Sequence, residues 1–131
     1  RLFPDYLEME EEYFERTKIW PIMHIIAIQK HILDKNPWIA RNLYNAFNES
    51  KQRSVARMLD PAVSRYPMAW VPTYGRRMVD MFGGDPYPFG IDENRATWEQ
   101  MLLYTYQQGI AHKHVAPEDI FPKGIMTKVV V

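Results

Sequence analysis

WPIMHIIAI, residues 20–28, is an unbroken apolar stretch around a single imidazole, His24. A ring buried in such a run leaves a nitrogen unpaired unless a donor or acceptor meets it, at about 1–3 kcal/mol per unsatisfied group. His24 is therefore either a core histidine bonded to a backbone carbonyl or an acid–base group opening on a cavity. His112-Lys113-His114, with Glu118 and Asp119 close behind, has the composition of a metal site. Its spacing is not diagnostic, because H-x-H puts both rings on one side only in a strand. Imidazoles near a helix end are explained by the carbonyl dipole, and no metal is expected here. Arg76-Arg77 and Arg95 offer guanidinium forks that match a carboxylate, against the plain alternative of solvated side chains. Trp70, Tyr74, Tyr87, Phe89 and Trp98 are candidates to stack on a planar ligand. Core packing is the default reading for Trp98, and loop anchoring for Tyr87 and Phe89.

Several chemistries are excluded. The chain has no cysteine, which removes disulfides, thiolate catalysis and Cys-ligated metals together. It has no Gly-rich phosphate loop and no G-x-S-x-G, so serine lacks a recognisable nucleophile context. No cofactor is indicated. Sixteen basic residues balance sixteen acidic ones, so no net field gathers phosphate or anionic lipid, and neither nucleic acid nor membrane is an expected partner. Trp20–Ile28 is about half a membrane span, and no basic segment with a signal-type core opens the chain. The expected location is cytoplasmic. The sequence opens at Arg1 in a stretch that reads as structured, as a fragment of a longer protein does.

The elements that must position these residues read mostly as helices. Of 131 residues, 47% are hydrophobic, enough for the core of one ordinary domain. Asp5 and Glu8 have capping-box spacing, and Tyr6, Met9 and Tyr13 share one face, predicting a helix over about 6–16 with Glu10–Glu12 on its wet side. Pro21 then ends any helix, and the β-branched run from Ile22 to Ile28 reads as a strand buried on both faces. Asn36-Pro37 opens a long helix that ends before Pro61; a second runs over about 73–82 to Gly83-Gly84; a third runs from Asp92 to Gln108, with Gly109 as its C-terminal glycine. Residues 116–120 read as a last helical turn, and 125–131 as an edge strand or tail. One strand cannot satisfy its own backbone groups in a core. Its neighbours must come from further chain or from a second copy, which makes a homo-oligomer a candidate. The pattern is that of the end of an α/β domain.

As strings, RLFPDYLEMEEEYFERTKIWPIMHIIAIQKHILDKNPWIARNLYNAF and DPYPFGIDENRATWEQMLLYTYQQGI…PEDIF resemble the C-terminal part of the 4,5-dihydroxyphthalate decarboxylase family. The most specific segments are PIMH, NPWIARNLY and the P-x-G-x-x-x-N-R pattern at Pro88, Gly90, Asn94 and Arg95. The resemblance covers about residues 1–122. It implies a two-lobed fold like that of type II periplasmic binding proteins. Residues 1–20 would then be a helix and hinge segment from the second lobe, 21–123 a central strand plus helices of the first, and 124–131 a tail or edge strand. It also implies non-oxidative loss of carbon dioxide from 4,5-dihydroxyphthalate, giving 3,4-dihydroxybenzoate in aromatic catabolism. In that reading His24 is the catalytic acid–base group, and Arg95, Trp70 and Tyr87 contact a small aromatic carboxylate. Two readings compete: a small-anion binding protein of a transport system, since fold does not fix function, and an inactive, self-associating fragment.

Overall fold

The computed structural model describes residues 2–62, 67–122 and 125. Five helices lie among them: α1 (Tyr6–Thr17), α2 (Lys30–Lys35), α3 (Trp38–Leu59), α4 (Val71–Met81) and α5 (Arg95–Gln107). Single 3-10 turns add Asp92–Asn94 and Pro117–Asp119.

The helix ends follow local chemistry. Gly83 has φ 67° and Gly109 φ 73°, a region that costs other residues a Cβ clash. Past α4, Gly84 N–H reaches Val79 O at 2.8 Å and Gly83 N–H reaches Asp80 O at 3.2 Å. Past α5, Ile110 N–H reaches Thr105 O at 2.9 Å and Gly109 N–H reaches Tyr106 O at 3.0 Å. Both are Schellman closures of otherwise orphaned carbonyls. α3 stops at Asp60, extended at ψ 113° as the residue before Pro61 requires. Asp5 stands before α1 as expected, yet its side chain caps nothing.

The strand expected over 22–28 is not formed, and the α/β assignment with one central strand is corrected: no strand occurs among the described residues. A strand exists only through a ladder to another strand, and no described segment supplies one. Residues 21–29 have no regular secondary structure, and Met23, Ile25 and Ile26 are 80, 66 and 58% exposed. The run chosen as the interior of a sheet is instead surface. α2, which follows directly, carries no cap signal; its Lys30–Asp34 ion pair spans 2.7 Å.

The chain divides into two units, 1–29 with 90–131, and 30–89. In the first, Phe14, Ile91, Trp98 and Leu102 are buried. The Phe14 ring meets Trp20 edge-on at 5.9 Å, and Trp98 meets Phe121 at 4.8 Å, geometries the aromatic quadrupole favours. Trp98 is thus a core residue. In the second unit α3 packs on α4, where Gly75 is buried with Met58 and Leu59 against it. Of the expected tail at 124–131, only Ile125 is among the described residues; its N–H bonds Pro122 O at 3.1 Å.

Candidate functional site

The four candidates fall in different places. His24 and Arg95 belong to the first unit, Trp70 and Tyr87 to the second.

Trp20, at the head of the 20–28 run, is fixed by Thr97 of α5. The hydroxyl accepts Trp20 N–H at 3.0 Å and donates to Trp20 O at 3.2 Å. Four residues on, His24 is exposed, so the cost of burying an imidazole does not arise. The ring is open to solvent and to any ligand that reaches it.

Arg95 opens α5 and is surrounded by carboxylates: Glu118 at 2.6 Å, Asp92 at 3.1 Å and Glu99 at 3.6 Å. The hydrogen bond that Arg95 donates to Glu118, then the one it donates to Asp92, raises the guanidinium above its already high ordinary value. The same Arg95 bond holds the Glu118 carboxyl below its ordinary value. Arg95 therefore ties the start of α5 to the 117–119 turn. Asn94 Nδ2 bonds Gly90 O at 3.0 Å beside it, and Asp119 closes the turn by accepting Ala116 N–H at 2.9 Å.

In the second unit the DPYPF loop, residues 85–89, is clamped from both sides. Lys51 of α3 pairs with Asp85 Oδ2 at 2.5 Å, its side chain only 9% exposed. Its ammonium also lies 4.7 Å from the centre of the Phe89 ring, a cation–π distance. Tyr44 OH donates to Phe89 O at 3.3 Å, and its ring meets Phe89 at 6.2 Å. Asp85 Oδ1 accepts Tyr87 N–H at 3.1 Å, and Pro86 is fully buried. Phe89 is the anchor, while the Tyr87 side chain is left outside, 47% exposed. Trp70 stands just before α4, its carbonyl accepting Tyr74 N–H at 3.0 Å and its ring 69% exposed.

Among the described residues no group of three His, Cys, Asp or Glu side chains could hold a metal, and His114 instead faces the Tyr106 ring at 6.0 Å. No helix among them is long and apolar enough to cross a membrane. An open hollow of about 420 Å³ is lined by Leu2, Phe3, Tyr6 and Glu10; none of the four candidates borders it. Sequence reasoning missed Lys51, whose partner lies 34 residues away; a lysine on a helix face carries no signal that it will be buried.

No family model matches the chain. A 4,5-dihydroxyphthalate decarboxylase of Comamonas testosteroni is 26% identical over 120 residues, 92% of this chain. The chain spans 36% of the length of that relative. This is a distant relationship to a decarboxylase, carried across nearly all of the chain.

Proposed function

We propose that the chain is part of a carboxy-lyase that removes carbon dioxide from a hydroxylated aromatic dicarboxylate, 4,5-dihydroxyphthalate, to give 3,4-dihydroxybenzoate. The observation that carries this reading is the 26% identity to the Comamonas decarboxylase along 92% of the chain. Charge distribution supports an anionic ligand: residues 30–89 hold nine Lys and Arg against five Asp and Glu, whereas the remainder holds seven against eleven. The zero net charge thus conceals a locally positive unit that draws anions toward it.

The chemistry asks little of the protein beyond proton placement. Each carboxylate of the substrate is para to a hydroxyl, so ionising that phenol pushes electron density onto the carbon that loses carbon dioxide. That carbon then takes a proton, a task for an imidazolium held near the ring. His24 is assigned this donor role because it is an accessible imidazole in PIMH, one of the strings that resemble the family. Trp70 and Tyr87 are assigned contact with an aromatic acid because each presents an exposed ring. Arg95, already surrounded by three carboxylates, serves as a structural tie in this reading rather than as a ligand for a substrate carboxylate.

Incubation with 4,5-dihydroxyphthalate, followed for carbon dioxide and 3,4-dihydroxybenzoate, tests the reading. Turnover by the unsubstituted protein with loss of about 10²-fold or more in His24→Gln, a typical contribution of a general acid, is the expected result. Undiminished turnover in a folded His24→Gln variant removes His24 from the mechanism. Binding without carbon dioxide release favours an anion-capture function instead.

A further inference from the structure

We infer that Lys51 is a positioning residue for ligand contact by Tyr87, acting through Asp85 rather than by touching the ligand; this rests on the aromatic-carboxylate reading above. Asp85 divides its two oxygens. One takes the Lys51 ammonium at 2.5 Å and the other takes the backbone N–H of Tyr87 at 3.1 Å. The ion pair is therefore connected to the backbone of Tyr87 by a single carboxylate. On the far side of Tyr87, Phe89 is held by the same ammonium at 4.7 Å and by Tyr44 through its carbonyl. Lys51 thus grips the loop on both sides of one residue.

The sequence of the loop adds stiffness. Tyr87 lies between Pro86 and Pro88, whose rings fix their own φ and restrict the residue before them. Pro86 is fully buried. The backbone of Tyr87 is over-determined while its side chain is 47% exposed, an arrangement that fixes the root of the ring without covering the ring. A phenol presented in this way offers a π-face to an aromatic acid and a hydroxyl to its polar substituents. Holding it beforehand lowers the ordering cost of binding. With its side chain only 9% exposed, Lys51 is itself too enclosed to meet a substrate carboxylate.

Titration of the protein with 4,5-dihydroxyphthalate, together with its carbon dioxide release, tests the inference. Lys51→Met and Tyr87→Ala are each expected to weaken the Kd by on the order of tenfold with kcat little changed, the pattern of lost uniform binding. The double variant should be no weaker than the worse single one, because both remove the same contact. Lys51→Arg should restore most of the affinity, and Asp85→Asn supplies a second route to the same loss if Lys51→Met folds poorly. A lowered Tm with unchanged Kd in Lys51→Met or Asp85→Asn overturns the inference, as do full additivity with Tyr87→Ala and absence of binding by the unsubstituted protein. Binding without carbon dioxide release overturns the decarboxylase reading alone and leaves the Kd comparison standing.

Discussion

Thr97 is the only buried polar residue among those described in its unit, and its single hydroxyl serves both backbone groups of Trp20, 77 residues away in sequence. Removing it while keeping the shape, Thr97→Val, leaves a part-buried N–H and C=O without that partner. The expected loss is about 1–3 kcal/mol, read as a lower urea midpoint. Thr97→Ser, which retains the oxygen, should lose much less; a Val variant as stable as the original would show that the hydroxyl clasp on Trp20 contributes nothing. Thr97 and Lys51 both escaped sequence reasoning because their partners are distant along the chain, and nothing local marks a threonine or lysine as a clasp. Sequence could single out His24 because an imidazole inside an apolar run is anomalous by itself. Its exposure was not legible, since burial depends on what packs over the run. Arg95 was legible as a charge but not as a hub, because Glu118 reaches it only through the turn that follows α5.

At the scale of elements, what could be read were features encoded within a few residues. The glycine after α4 and the glycine after α5 forecast left-handed closures that the structure contains, and Pro61 forecast the end of α3. The 22–28 strand failed for the opposite reason: apolar, β-branched composition describes a segment that fits a sheet, but the ladder has to be supplied by other residues. Helix contacts lie between these cases. Gly75 sits at the α3–α4 contact, where a Cβ would stand 3.1 Å from Met58 Cε and 3.2 Å from Leu59 Cδ2. Gly75→Ala therefore sets a helix-propensity gain of about 1 kcal/mol against a shift of a few tenths of an ångström by Leu59 and by Met58, whose Cγ also lies 3.2 Å away, with little net change expected. Gly75→Leu has no such relief, and overpacking should destabilise by about 1–3 kcal/mol. Chemical denaturation separates the two, and a Leu variant as stable as the original would show that α4 can move away from α3 without cost.

For the whole molecule, the balance of apolar surface decides the outcome. Five hydrophobic residues form the buried set among those described, whereas exposed ones include Met23, Ile25, Ile26, Trp38, Met68, Trp70 and Ile110, each more than half accessible. Scattered apolar side chains on a surface are ordinary, but a contiguous run is not, and Met23, Ile25 and Ile26 are nearly consecutive. With sixteen charges of each sign, no net repulsion keeps copies of the chain apart. The 131-residue chain is accordingly expected to associate with itself at micromolar concentration, sedimenting above its monomer mass of 15.6 kDa. Replacing both Ile25 and Ile26 by Lys removes apolar area and adds two like charges to each copy, and should shift the distribution toward monomer while leaving the far-ultraviolet helix signal unchanged. Because the driving force is apolar, association should persist at high salt, where contacts between opposite charges are screened. Dissociation of the unsubstituted chain by salt alone would assign the association to opposite charges, and a strictly monomeric boundary at every concentration would show that the 22–28 run does not join copies.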